Sequence, residues 1–562
     1  MATQVLLGDE AIAQGALDAG LSGVYAYPGT PSTEITEYIR RSKEAAERGV
    51  HREWSANEKT AMEAGLGMSY AGKRAMVCMK HVGLNVAADA FINAGITGIN
   101  GGLLVAVADD PSMHSSQNEQ DSRFYGKFAM IPVLEPSSQQ EAYDLTRYGF
   151  DLSEKYGLPV LLRITTRLAH SRSAVMRSAA VGENELRLPA DLKQFILLPS
   201  LARKRYRSLI TTQEQLIGEG RRSGKNRLEE GEYQDLGIIA CGLAYNYYTE
   251  VATAAGLGYP LLKISQYPVS QEMLREFTSG VKEILVLEEG SPLLEESLRG
   301  VLDCGPRIRG RMDGTLPRDG ELKPELVRQA LGLEVQEPRK VPEIVKNRPP
   351  ALCQGCSHID MYRALNEAIA MHGPGRVFSD IGCYTLGALP PYSAINSCVD
   401  MGASVTMAKG AADAGLQPSV AVIGDSTFTH SGMTGLLDAV VENTPVTVII
   451  SDNSTTGMTG GQISHATGRL VEICRGLGVE EAHIRVINPL RKYHEENVRV
   501  MQDELEYKGV SVIISQRECI QTARKSKVES LKSEVESLKS NRAAEDGELT
   551  NPPKAVSKVK KL

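Results

Sequence analysis

Short runs of apolar, often β-branched residues alternate along this chain with stretches whose apolar positions recur every three or four residues. Gly23 to Ala26, Ala75 to Met79, Leu103 to Ala108 and Pro159 to Ile164 are runs of the first kind in the N-terminal third. Val377 to Ile381, Val420 to Ile423, Val446 to Ile450 and Val510 to Ile514 repeat the pattern near the other end. Runs this short and this uniformly apolar read as strands buried on both faces, and the intervening helical spacing reads as crossover helices, so the fold class is α/β with doubly wound parallel sheets. Between Val420 to Ile423 and Val446 to Ile450, Met433, Leu436, Leu437, Val440 and Val441 form one such apolar helix face. That unit is strand, helix, parallel strand, and its two strands end at the same sheet edge, where ligands bind in open α/β folds. Asp425 and Asn453 therefore arrive side by side.

The pattern divides the chain. Residues 1–170 are one α/β segment, 171–233 a connector with a charged helix, 234–335 a second α/β segment, 336–349 a proline-rich linker, and 350–524 a third. From 525 to 562 the repeat VESLKSEVESLKS places Val528, Leu531, Val535 and Leu538 at heptad positions ahead of a charged, disordered tail. A length of 562 residues suits several domains, and a net charge of −7 gives no reason to expect nucleic acid. No apolar run is long enough to span a membrane, and the start carries acids rather than a basic leader, so a cytoplasmic protein is expected. Nine cysteines without a secretion signal point to metal ligation or burial rather than disulfides.

Chemistry collects at the predicted strand ends. Asp425, Asn453 and a loop carbonyl are hard oxygen donors, suited to magnesium or calcium with a bound diphosphate, and Gly424 lets the backbone approach that ligand. Cys353 and Cys356 have the spacing for one metal centre, and Cys383 and Cys519 follow other strand ends; zinc and a four-iron four-sulfur cluster use the same thiolates. Cys78, Cys241, Cys304, Cys398 and Cys474 read as buried thiols. Thr30 and Ser32, in YPGTPSTEI, offer hydroxyls to a ligand or cap the next helix. Glu58 reads as an acid at a helix N-terminus, with Glu53 and Glu63 as rival carboxylates. Lys80, His81 and His114 sit at neighbouring strand ends, where a lysine or imidazole could orient a carboxylate or move a proton.

The stretch GDSTFTHSGMTGLLDAVVENTPVTVIISDN resembles the thiamine diphosphate motif, with Ser426 and Asp452 as departures found in one branch of that superfamily. Together with YPGTPSTEI, MKHVGLNVAADAF, DDPSMHSSQNEQDS and CQGCSH, it identifies the chain as similar to the 2-oxoacid:ferredoxin oxidoreductases, nearest the large (alpha) subunits of the indolepyruvate type. The resemblance spans roughly residues 1–520 and implies transketolase-like thiamine diphosphate-binding domains, with 1–170 facing the pyrimidine, 350–524 the diphosphate, and 234–335 a transketolase C-terminal-like domain.

By the same resemblance Asp425, the Asn453 side chain and the Thr455 carbonyl hold Mg2+, and Thr30, Gly424, Ser426, Gly457 and Met458 contact the cofactor. Glu58 touches the aminopyrimidine ring, and His81, His114 and Lys80 act on the substrate. Cys353, Cys356, Cys383 and Cys519 carry one 4Fe-4S cluster. The implied reaction is oxidative decarboxylation of an arylpyruvate, with coenzyme A accepting the acyl group and electrons leaving to ferredoxin or another protein. A smaller beta subunit and self-association are implied partners. The family's C-terminal ferredoxin-like domain is missing, since no cysteine follows Cys519. Two other readings stand beside this one: a non-oxidative thiamine decarboxylase or carboligase with zinc or free thiols, and an idle scaffold subunit.

Overall fold

The computed structural model describes residues 3–191, 193–299, 306–335, 341–346, 351–398 and 400–524. The chain forms two compact units, Met1–Lys346 and Asn347–Leu562. The heptads, Cys304 and most of the predicted linker lie outside the described residues.

The first unit holds strands β1 (Thr3–Leu7), β2 (Gly23–Ala26), β3 (Ala75–Lys80), β4 (Leu103–Asp109), β5 (Val133–Leu134), β6 (Val160–Thr165) and β7 (Arg172–Met176). Six more follow: β8 (Arg227–Glu229), β9 (Leu236–Cys241), β10 (Leu261–Ile264), β11 (Gln266–Tyr267), β12 (Glu283–Leu287) and β13 (Arg307–Arg309). One sheet runs β11-β5-β6-β4-β3-β2, parallel except at its β11 edge, and a second runs β13-β12-β9-β10-β8, parallel except at β8. β11 belongs by sequence to the 234–335 segment yet extends the sheet of the first segment, so the two share one hydrogen-bonded layer. β1 and β7 pair antiparallel, which ties the start of the connector to the chain's first strand, and the connector also carries the long helix Pro199–Arg222. β4 and β6 have every residue buried, as parallel strands covered on both faces require.

In the second unit β14 (Val377–Ser379), β15 (Val420–Gly424), β16 (Thr447–Asp452), β19 (Ile484–Ile487) and β20 (Ser511–Gln516) form one all-parallel sheet in the order β14-β15-β16-β20-β19. A short antiparallel pair, β17 (Thr455–Thr456) and β18 (Gln462–Ile463), lies in the loop after β16. The crossover from β15 to β16 departs from expectation in two ways. It enters helix immediately at Asp425, passes through a π-turn at Phe428–Gly432 and only then becomes the helix Met433–Glu442. Its buried face there is Gly435, Leu436 and Ala439, while Leu437 and Val441 of the predicted apolar stripe are 45% and 76% exposed.

Candidate active site

In the second unit the β15 and β16 strands pair with Gly424 opposite Ser451, so Asp425 and the Asp452–Asn453 loop leave adjacent strands at one edge. Asp425 is buried, and its Oδ2 has no hydrogen-bond partner. Burial, and after it the neighbouring Asp452 carboxylate, push the Asp425 carboxyl up to about 7. Asp452 is occupied elsewhere: its Oδ1 accepts from the Ser454 amide at 3.0 Å and its Oδ2 from Gln516 Nε2 at 2.8 Å. The Asn453 Oδ1 accepts the Thr455 amide at 3.1 Å, which fixes the side chain while leaving a lone pair. Thr456 Oγ1 donates to Ser426 Oγ at 3.0 Å, so the two strand-end loops are stitched together. A buried, unpartnered carboxylate oxygen next to a fixed amide oxygen is a site that a divalent ion would satisfy, and the donor set fits Mg2+.

Gly424 has a further reason beside the one read from sequence. Its backbone is extended, and a Cβ there would lie 2.6 Å from Cε1 of Tyr384, so the glycine makes room for a buried ring. That ring's hydroxyl donates to Asp380, whose other oxygen accepts from the Gly402 and Ser404 amides and the Ser404 hydroxyl. Burial pushes the Asp380 carboxyl up to about 6. His358, in CQGCSH, is also buried at this edge; its Nδ1 meets Ser451 Oγ at 2.7 Å, and burial pushes its pKa down to about 4, leaving a neutral ring. Neither Asp380 nor His358 stood out in the sequence, because what marks them is burial.

The four candidate cysteine ligands come to the same edge. The Cys356 amide donates to the Cys353 carbonyl at 2.9 Å in a turn ahead of the helix Ser357–Ile369. Cys383 follows β14, and the Cys519 amide donates to the Asn453 carbonyl at 3.1 Å, placing Cys519 against the Asn453 loop. Burial, and then the charges of Cys356, Cys519 and Cys353, push the Cys383 thiol up to about 12, so the four sulfurs lie within electrostatic reach of one another. No three of them fall within 4.8 Å of each other, a separation met among the described residues by a different trio. Four thiolates can hold a single zinc or a four-iron cluster, and these four residues supply the donor set of either. A Cβ on Gly457 would lie 3.1 Å from Cys383 Sγ, and Met458 is largely exposed. Cys78, Cys241 and Cys474 are buried; Cys398, expected to be buried, is exposed.

In the first unit Glu58 is the first residue of the helix Glu58–Tyr70, capped by Asn57, whose side chain accepts the Thr60 amide at 2.8 Å. It is buried, whereas Glu53 and Glu63 are exposed and paired with Arg40 and Lys59. Lys80 ends β3, and its Nζ donates to the Ser115 carbonyl at 3.0 Å. Burial pulls its pKa down, against the opposing charges of Asp110 and Glu58. His81 opens the next helix, fully buried, with Nε2 at 3.2 Å from the Asn118 carbonyl and Nδ1 unpartnered. The Thr30 carbonyl accepts from Ser115 Oγ at 3.3 Å, which brings the YPGTPST turn to the same edge. Ser32 does not cap its helix: its hydroxyl bonds back to the Gly29 carbonyl at 2.8 Å. His114 is exposed and lies 3.8 Å from Glu321.

Beneath this edge is a buried ion network that the sequence did not announce. Arg163 in β6 meets Asp109 at 2.6 Å and also Glu135, while Arg123 meets Asp121, Glu288 at 3.0 Å and the Tyr267 hydroxyl at 3.1 Å. Arg123 and Arg163 both donate to the Glu289 carbonyl, so the network joins the two larger sheets of the unit.

Thiamine-binding families match both units. Residues 14–234 match the pyruvate flavodoxin/ferredoxin oxidoreductase thiamine diphosphate-binding family, and residues 380–515 the C-terminal TPP-binding domain of thiamine pyrophosphate enzymes. A solved 2-oxoglutarate:ferredoxin oxidoreductase from Magnetococcus marinus shares the fold, with a TM-score of 0.50 and 19% identity over 59% of this chain and 65% of its own. Fold and matches together define a 2-oxoacid:ferredoxin oxidoreductase with thiamine diphosphate-binding domains. Indolepyruvate oxidoreductase subunit IorA of Archaeoglobus fulgidus is 40% identical over 92% of this chain and 86% of its own length. The Pyrococcus abyssi subunit is 38% identical over 92% and 85%. The chain belongs to this IorA family, the alpha subunits of indolepyruvate oxidoreductase. No described helix is long and apolar enough to cross a membrane.

Proposed function

We propose that this chain is the thiamine-binding subunit of an enzyme that oxidatively decarboxylates an arylpyruvate of the indolepyruvate or phenylpyruvate type to its acyl-CoA. The observation that carries the reading is the buried Asp425 oxygen without a partner, fixed beside Asn453 at two adjoining strand ends. Asp425, Asn453 and the Thr455 carbonyl hold Mg2+ and, through it, the diphosphate, with Gly424, Ser426, Gly457 and Met458 alongside; Thr30 is a further cofactor contact. Glu58 holds a proton at the aminopyrimidine ring. Lys80, with its depressed pKa and ready supply of N–H donors, and His81, with an unpartnered Nδ1, orient the substrate carboxylate; His114 lines the approach. Bound thiamine diphosphate supplies the carbanion that attacks the keto carbon and the electron sink for decarboxylation.

Cys353, Cys356, Cys383 and Cys519 hold one 4Fe-4S cluster that takes electrons singly. Support for a shared centre is the electrostatic contact of the four thiols and the seat of Cys519 against Asn453, and the chain's similarity to ferredoxin oxidoreductases favours a cluster over zinc. The partners are a smaller beta subunit, a second copy of this chain, and ferredoxin or another electron-accepting protein.

The test is anaerobic co-purification with the beta subunit, iron counted per chain, and reduction of a one-electron dye measured with indolepyruvate, phenylpyruvate and 2-oxoglutarate, with and without coenzyme A. About four irons and CoA-dependent dye reduction by an arylpyruvate are expected. Carbon dioxide release without iron or dye reduction would instead establish the non-oxidative reading, and no turnover of any 2-oxoacid the scaffold.

A further inference from the structure

Away from the thiamine edge, three side chains of the first unit converge: a wholly buried carboxyl, a half-buried one and an exposed imidazole. Asp9 is the second residue of the helix Gly8–Asp18, wholly buried, and neither of its carboxylate oxygens has a hydrogen-bond partner. Glu34 is the second residue of the helix Thr33–Arg41, and its buried Oε2 is likewise without one. His170 ends the short helix Thr166–His170 after β6, with its Nε2 3.6 Å from that Glu34 oxygen. One ligand atom from each of the three lies within 4.8 Å of the others.

Asp9 carries the cost of a buried carboxylate with no donor, and the half-buried Glu34 beside it adds to that cost, so burial and then Glu34 push the Asp9 carboxyl up unless a cation intervenes. A protonated His170 would satisfy Glu34 alone and leave Asp9 with nothing. A metal ion would satisfy all three. Bonds of about 2.1 Å meeting at the tetrahedral angle span about 3.4 Å between ligand atoms, close to the observed Glu34–His170 separation. One imidazole and two carboxylates are borderline and hard donors, the set that zinc accepts and that magnesium, preferring oxygen alone, does not favour. A surface cavity of about 330 Å3, lined by Glu10, Glu34, Glu37, Tyr38, Arg41 and Ser42, opens beside Glu34.

We propose that Asp9, Glu34 and His170 form a zinc-type divalent cation site that clamps the starts of two helices to the end of a third, directly behind the Pro28–Ser32 turn. The site is independent of the thiamine and cysteine assignments.

The test is zinc binding by the full-length, anaerobically purified protein saturated with Mg2+ and thiamine diphosphate, using zinc itself as the probe and counting iron in parallel. Because the cysteines also take zinc, wild type is compared with His170→Ala and Asp9→Asn, which leave every cysteine in place. The expected result is one zinc per chain more in wild type than in either variant, binding at least about 10-fold weaker in His170→Ala, and a zinc-induced rise in wild-type Tm that both variants lose. His170 is partly exposed, so its variant folds even where Asp9→Asn does not. Equal zinc content and equal Tm response in wild type and His170→Ala would overturn the site and leave a Glu34–His170 ion pair beside a protonated Asp9.

Discussion

Glu58 and Gly83 occupy one another's space: a Cβ on Gly83 would lie 2.5 Å from Glu58 Oε1 and 2.7 Å from its Cγ. The absence of a side chain in the helix after β3 is therefore what lets the Glu58 carboxyl lie flat against that helix. Gly83→Ala should displace the carboxyl, lowering turnover by at least about 10-fold while thiamine diphosphate still binds. The check is turnover and cofactor titration on the same preparation.

Glu58→Gln keeps the shape and removes the acid. Decarboxylation should fall by roughly 10²- to 10⁴-fold, the usual contribution of a positioned acid–base group, with cofactor affinity little changed. Near-normal turnover would sink the assignment.

Asp425→Ala removes a buried carboxyl whose Oδ2 has no hydrogen-bond partner and whose charge burial opposes. Mg2+-dependent thiamine diphosphate binding should be lost, while the protein without cofactor should be no less stable than wild type. Calorimetric titration with the cofactor, and urea melts without it, read the two effects separately.

Arg163→Met leaves Asp109 buried without its cation and Glu135 with only the more distant Arg123 at 3.7 Å. Breaking a buried pair from one side costs about 3–5 kcal/mol, so the first unit should unfold at distinctly lower urea. An unchanged midpoint would show that the network relaxes around the loss.

Glu289 gives the first unit a pH dependence. Burial pushes its carboxyl up to about 7, against the charges of Arg311 and Arg163 and with the help of Glu321; Tyr247 also faces it. The folded state thus holds this proton over a pH range in which the unfolded chain releases it, and the stability that protonation supplies is lost as pH rises from about 4.5 through about 7. Glu289→Gln should flatten that fall, and above about pH 7 the variant should melt a few degrees higher than wild type. Melting curves at pH 5, 6, 7 and 8 test it.

The sheet edge was legible in the sequence because β15 and β16 are short, uniformly apolar runs whose polar ends are abrupt. Register follows from that pattern, and so does the meeting of Asp425 with Asn453. The role of Gly424 was not legible, since the ring that needs its space comes from Tyr384, forty positions away. Arg163 interrupts an apolar run, a visible signal, but nothing local names Asp109 or Glu135 as its partners. The exposed Leu437 and Val441 mislead because apolar spacing marks a stripe without saying which of its edges the sheet covers. The 234–335 segment reads as independent, yet its two-residue strand β11, too short to announce itself, extends the neighbouring sheet.

The near-contact between Gly457 and Cys383 Sγ leaves no side chain interposed between the thiamine loop and the innermost thiol. A larger residue at 457 would have to push the Cys383 loop aside, so the spacing of these two strand-end loops is set by the want of a side chain at that one position.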